Sequence, residues 1–236
     1  MDRTRAANEP GTLYVVATPL GNLKDITLRA LEALKDSNLI AAEDTRRTQK
    51  LLAAYDLHVP LTSYHEHNKQ AKSRVLIDRL FRGEKVGLLT DGGTPGISDP
   101  GQELVQQARE SGIPVVPIPG PSAVTCALSV SGMEGGAFVF LGFLPRRKSR
   151  RRRILVETGA QGRTVVLYES PYRIKKLLSE IGELLGDIDV FLARELTKMH
   201  EALLSGTVSQ VLQVLGDKEV LGEITLILAP FQGKTP

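Results

Sequence analysis

The feature that most constrains the fold is an alternation. The short apolar runs LYVVAT (13–18), NLIAAE (38–43), LTSY (61–64), KVGLLT (85–90) and IPVVPI (113–118) read as strands. Between them TLRALEALKD, TRRTQKLLAAY, KSRVLIDRLFRG and QELVQQARES repeat apolar residues at helical spacing, with Gly83 and Gly112 where helix stops belong. Strand–helix alternation with largely apolar strands predicts an α/β fold whose mostly parallel sheet is covered on both faces.

The rhythm changes after the PGPS turn (119–122). SAVTCALSVSG reads as a small-residue helix, and AFVFLGF, RTVVLYE, DVFLAR and GEITLILAP read as four more strands. Helical stretches at about 150–160, 171–185 and 207–215 separate them. Two α/β domains are expected, 11–120 and 121–232, each of ordinary domain size.

Charge is unevenly spread. The formal net charge is +3, yet residues 146–153 read RRKSRRRR, and without them 23 Lys and Arg face 27 Asp and Glu. The positive excess therefore sits in one segment, expected to be a basic loop that meets a polyanion. The bland alternative is a solvated loop with no partner. Cys126 is the single cysteine, so a disulfide framework is excluded and a reducing, cytoplasmic setting is expected. It reads as a packed helix residue. No apolar run is long enough to span a bilayer, and MDRTRAANEPG, lacking an apolar core, reads as a tail and not a signal peptide.

The unusual residues collect at predicted strand ends: TPLGNL (18–23), EDTRR (43–47), YHEHN (64–68), TDGGTPGISDPG (90–101) and PIPGPS (117–122). In an open parallel sheet the carboxyl ends of the strands form the ligand crevice. A pocket is expected there, with backbone approaching a ligand closely at Gly92, Gly93 and Gly96. Any one of these turns alone is more simply a tight connection. GxGxxG after the first strand, GxxxxGK[ST] and GxSxG are all absent. No Cys/His spacing suits zinc, and His65 and His67 around Glu66 do not make HExxH, so no metal is expected.

TPLGNLKDITLRALEAL, AAEDTRRTQKLL, LTDGGTPGISDPG, PIPGPSAVTCAL, GFLPR, LYESPYR, ARELTKMHE and GEITLIL, in this order, resemble the ribosomal RNA branch of the tetrapyrrole methylase superfamily. The resemblance implies two αβα domains, the first sheet mostly parallel and the second mixed, with a cofactor cleft between them, and a homodimer. It implies methyl transfer from S-adenosylmethionine to the 2′-hydroxyl of a cytidine in 16S rRNA near the decoding site of the small ribosomal subunit. It puts Pro19, Gly93, Thr94, Ile97, Ser122, Ala123, Tyr168, Leu196 and Ile224 on the cofactor. Tetrapyrrole methylases carry aspartate where Thr94 stands, and the RNA branch usually has alanine at Gly92.

The chemistry then asks for positioning of the methyl carbon against an oxygen, and for a base to take the hydroxyl proton. Glu43 and Asp44 are the favoured candidates, with Asn22 orienting the ribose. Glu66, Glu169, Glu195 and a desolvated Lys198 are the others. Asp44 has a structural alternative, as cap of the helix beginning at Thr45 or partner of Arg46, and Asn22 has one as a turn residue. Arg46, Arg47, Arg146, Arg147, Lys148, Arg150, Arg151, Arg152, Arg153 and Arg173 are expected on RNA phosphates. With aromatics at 5% and no tryptophan, binding should rest on charge and shape more than on stacking. Replacing Arg150–Arg153 by alanine is expected to weaken RNA binding and spare the cofactor. Gly93→Val is expected to block the cofactor by crowding the turn. Two other functions compete. A tetrapyrrole methylase of the same fold would not need the arginine run. A non-catalytic RNA-binding assembly factor would not need the glycine-rich turns.

Overall fold

The computed structural model describes residues 9–231, so most of the expected N-terminal tail lies outside the described residues. The chain divides into two compact units, one up to Ser122 and one from Ala123 onward.

The first unit is a five-stranded sheet ordered β3-β2-β4-β1-β5, with β1 Leu13–Val16, β2 Leu39–Ala42, β3 Leu61–Ser63, β4 Val86–Leu89 and β5 Val115–Ile118. Every pairing is parallel. The period of two along each strand sorts side chains to opposite faces. Leu13, Leu39, Ala41, Val86 and Leu88 pack under Leu76 and Leu80 of α3 (Lys69–Phe81) and Leu104 of α4 (Gln102–Glu110). Val16, Ile40, Ala42 and Leu89 pack under Leu34 of α1 (Leu28–Asp36) and Leu52 of α2 (Thr45–Ala54). Each such leucine, buried on folding, contributes roughly 1.5–3 kcal/mol. Because the strands run the same way, all five polar turns gather at one edge.

The second unit is a mixed sheet ordered β6-β7-β10-β8-β9. Its strands are β6 Phe138–Phe143, β7 Thr164–Glu169, β8 Asp189–Arg194, β9 Ala202–Thr207 and β10 Ile224–Leu228. Only β6 and β7 are parallel. Helices α5 Ala123–Ser131, α6 Lys148–Gly159, α7 Ile174–Leu185 and α8 Val208–Leu215 complete it. Leu155, Leu167, Leu178, Leu192 and Leu226 form its core.

Two expectations change. Four strands are expected in this half, and its described residues hold five: β9, at the edge beside β8, reads ALLSGT, whose Ser-Gly pair and half-exposed leucine hide it. The arginine run is not a loop either. Lys148 to Arg153 open α6, as fits the good helix propensity of Arg and Lys, and only Arg146 and Arg147 precede it.

Candidate active site

The turns after β1, β4 and β5 are laced together. Thr18 N–H donates to Gly93 O and Gly93 N–H to Thr18 O, both at 2.9 Å. The buried Thr18 hydroxyl donates to Thr90 O at 3.2 Å, and Thr94 Oγ1 donates to Pro121 O at 3.2 Å. Gly93 sits at φ +90°, a region open to glycine and strained for other residues. A Cβ there would meet only Leu20 Cδ2 at 3.4 Å and Pro121 O at 3.9 Å. Gly93→Val is therefore costly through backbone strain whatever space its side chain finds.

Beside this lacing lies a cavity of about 280 Å³, whose lining includes Thr18, Pro19, Leu20, Arg47, Thr90 and Asp91. Thr90 Oγ1 is buried there with no hydrogen-bond partner among the described residues. Pro19 is buried, Thr94 and Ser122 are half-buried, and Ile97 is exposed.

At the end of β2 the two favoured acids part company. Glu43 is half-buried, and its Oε2 lies 3.4 Å from Asp91 N. Burial, then the Asp91 charge, push its pKa up, against the opposing Asp91 N–H, Arg47 and His65. Asp91 in turn accepts Asp44 N–H at 3.0 Å and pairs with Arg47 at 3.3 Å. Asp44 caps α2: its Oδ1 accepts Arg46 N–H at 2.8 Å, and Arg46 Nη2 sits 3.1 Å from Oδ2. The Arg46 guanidinium and N–H hold its carboxyl at about 2, which makes Asp44 a poor proton acceptor and favours its structural reading. Asn22 caps the short 3-10 helix Leu23–Asp25, its Oδ1 accepting Lys24 N–H at 3.1 Å. The turn reading therefore holds for its oxygen, and its amide N–H₂ faces solvent.

Glu66 is tied to Lys69 at 2.7 Å, and His65 Nε2 lies 3.2 Å from Asn68 Nδ2. Among the described residues no three His, Cys, Asp or Glu are grouped as metal ligands would be.

In the second unit, Ala123 begins α5, and Tyr168 packs edge-on against Phe140 at 5.0 Å and near Phe143 at 5.6 Å. Leu196 and Ile224 are buried. The loop after β8 is strained: Glu195 and Thr197 adopt φ +53° and +65°. Lys198 clamps it, donating to Glu195 at 2.8 Å and Glu223 at 3.1 Å. Gly222 is required beside it, because a Cβ there would lie 2.3 Å from Glu195 Cγ. Burial lowers the Lys198 pKa, but the two carboxylates outweigh it and the net shift is upward. Lys198 is thus a fixed cation, not the neutral amine that desolvation alone would make. Glu195 shifts down, burial being overcome by Lys198 and the Glu223 N–H. Glu169 is buried and shifted up by burial, opposed by Ser170 N–H, Arg173 and Arg151.

The basic run splits. Arg147, Lys148 and Arg150 are exposed, and none has an acidic partner among the described residues. Arg152 and Arg153 pair with Glu183 at 3.7 Å and Glu157 at 3.5 Å. Arg151 contradicts its expected RNA role: it is buried, with Nε and Nη2 on Glu180 and Nη1 on the carbonyls of Pro145 and Arg146. A block replacement of Arg150–Arg153 would break this buried pair, at a cost of about 3–5 kcal/mol, and confound any reading of RNA binding.

Sequence reasoning missed Asp91 and Glu223 as partners of the acids. Asp91 carries a signal, as the second residue of the long turn after β4. Glu223 stands just before β10 with no comparable mark.

The model of the family Tetrapyrrole (Corrin/Porphyrin) Methylases matches residues 12–212. The chain is 47% identical to a Halalkalibacterium halodurans protein named "Ribosomal RNA small subunit methyltransferase I", over 94% of this chain and 76% of that one. It is 46% identical to one of the same name from Thermotoga maritima, over 93% of this chain and 98% of that one. Among solved structures, uroporphyrin-III-C-methyltransferase from Thermus thermophilus superposes with TM-score 0.64 at 23% identity, covering 94% of this chain and 96% of that one. A cobalt precorrin-4 methyltransferase gives 0.66 at 17%, covering 92% and 94%. These two likenesses speak to fold. The match over most of the chain, with the relatives above 40% identity, places it in the tetrapyrrole methylase family, among the ribosomal RNA small subunit methyltransferase I proteins.

Proposed function

We propose that this chain transfers a methyl group from S-adenosylmethionine to small-subunit ribosomal RNA, the acceptor being the 2′-hydroxyl of a cytidine in 16S rRNA near the decoding site. The observation that carries the reading is the near-full-length likeness to proteins of that name. The strand-end lacing and the unbalanced basic segment are what such a reaction needs. The first unit fits the cofactor on two counts: a backbone cradle closed at Gly93, and a cavity lined by Thr90, whose buried hydroxyl has no partner among the described residues. Pro19, Gly93, Thr94, Ile97 and Ser122 are the proposed contacts there, and Ala123, Tyr168 and the backbone of Leu196 and Ile224 those of the second unit.

Bound S-adenosylmethionine supplies a methyl carbon on a sulfonium, a strong electrophile. Glu43 would accept the proton that the ribose hydroxyl gives up as its oxygen is methylated. An acid of raised pKa suits that step, because proton transfer is most effective when the base is not too weak. Arg47, held by Asp91, and the exposed cations at the start of α6 receive RNA phosphates. The chain works as a homodimer in the cytoplasm. No described helix is long and apolar enough to cross a membrane.

Tritium transfer from labelled S-adenosylmethionine to small ribosomal subunits, with nuclease mapping of the product, tests the reading. Label on a cytidine ribose is expected. Label on a base, on a corrinoid only, or none with intact cofactor binding would overturn it.

A further inference from the structure

The second unit holds a cavity of its own, about 230 Å³, lined by Arg146, Arg151, Glu169, Arg173, Lys176 and Leu177. It lies where α6 and α7 begin and β7 ends. Arg151 and Glu169 build it. The two carbonyl bonds of Arg151 Nη1, each 3.0 Å, pin the turn that carries Arg146. Glu169 Oε1 accepts Ser170 N–H at 2.7 Å, and its Oε2 faces Arg173 Nη2 at 3.2 Å. The same Arg173 nitrogen donates to Leu144 O at 3.0 Å, which anchors one edge of the guanidinium.

The charges do not cancel. Glu180 answers Arg151 and Glu169 answers Arg173. Arg146 and Lys176 have no acidic partner within 4 Å among the described residues. Two uncompensated cations thus line the cavity. Neither α6 nor α7 has a side-chain cap, although at α7 the N–H groups of Arg173 and Ile174 already donate to Ser170 O. The cavity's lining, four cations beside one carboxylate and one leucine, suits one compact oxyanion. Exposed Arg147, Lys148 and Arg150 continue the positive charge along the start of α6, as a chain of phosphates requires and a single free anion does not.

We propose that this cavity is a phosphodiester pocket in which Arg146, Arg173 and Lys176 grip one backbone phosphate of the RNA. The proposal rests on the RNA reading above. It adds Lys176, and it separates one fixed phosphate contact from the diffuse attraction of the arginine run.

Two measurements on the full chain test it. In an NMR titration with inorganic phosphate, saturable shifts are expected at the amides of residues 146 and 170–177, lost in Lys176→Ala. Absence of saturable shifts there overturns the pocket, and this arm reads out even if the chain transfers no methyl group. The second arm measures affinity for a 16S rRNA fragment across salt concentrations. Lys176→Ala should lower the slope of log K against log salt by about 0.7–0.9, one phosphate contact. Lys175→Ala is the control on the same helix, because its ammonium is turned to Lys218 O. It should change the slope by clearly less. Equal slopes for Lys176→Ala and wild type, or equal losses in the two variants, overturn the assignment to an RNA phosphate even if inorganic phosphate binds.

Discussion

The ends of β2 and β8 each present a partly buried glutamate, and the two are driven in opposite directions. Glu43 meets another carboxylate, Asp91, and its pKa rises. Glu195 meets the ammonium of Lys198 and a backbone N–H, and its pKa falls although burial acts on it too. Desolvation is the largest cause at both sites and raises both; Asp91 adds to it at Glu43, whereas Lys198 and the Glu223 N–H overturn it at Glu195. A glutamate whose pKa is raised is a stronger base and better suited to take a proton. A glutamate locked to a lysine is suited to hold a strained loop. On the proposed mechanism the same residue type at two strand ends serves chemistry in one unit and scaffolding in the other.

The largest expected effect comes from removing the chemical one. Glu43→Gln keeps the shape and loses the base. It should lower kcat roughly 10²–10⁴-fold while leaving the dissociation constant of S-adenosylmethionine unchanged. Because the Glu43 pKa is raised above 4.5, the acid limb of kcat/KM in the wild type should fall at a higher pH than an ordinary glutamate would give. That limb should flatten in the variant. Retention of wild-type kcat would end the contrast, since Glu43 would then be scaffolding too.

Lys198→Met turns the second cluster into a copy of the first. Glu195 and Glu223 lose the donor they share, and the left-handed turn at Glu195 and Thr197 loses its clamp. Loss of a charged hydrogen bond should cost about 1.5–3 kcal/mol in urea unfolding at neutral pH. The pH dependence carries the finer test. Glu195 has a depressed folded pKa, so its contribution is present above the unfolded value of 4.5 and is lost as pH falls through the folded value. In Lys198→Met the Glu195 pKa should rise, and that acid-side loss of stability should shrink or vanish. An unchanged profile would show that the lysine does not set the Glu195 charge.

The contrast also marks how far sequence could reach. The strands and helices of the first unit follow from periods of two and 3.6, and the parallel sheet follows from their alternation. Because β-strands of one direction share one carboxyl edge, the five polar turns point to a site before any coordinates. Side-chain pairing is another matter. Glu43 and Asp91 lie 48 positions apart, and Arg151 and Glu180 lie 29 apart. No periodicity tells that one arginine in a run of seven basic residues turns inward while its neighbours stay in water. Of the adjacent Glu43 and Asp44, only Asp44 directly precedes the helix start expected at Thr45, and the structure gives it that capping role. The edge strand β9 was hidden for a related reason, since its pattern is set by one buried face and a Ser-Gly pair that usually reads as a turn.

The smallest expected effect is the most selective test. Asp91→Asn removes the charge beside Glu43 and keeps much else. Asparagine retains an Oδ1 to accept Asp44 N–H, and the backbone N–H at 91 still reaches toward Glu43. Arg47 loses its anionic partner, which leaves its guanidinium more available to Glu43. Both changes favour the charged form of Glu43, so its pKa should fall and the acid limb of kcat/KM should move to lower pH. Burial, the larger cause of the upward shift, is untouched, so the limb should not reach the position of Glu195, where an ammonium is in direct contact. If the limb stays where it is in the wild type, burial alone sets the Glu43 pKa. The difference between the two strand ends would then lie in the presence of Lys198 at one of them, and not in the opposite signs of their neighbours.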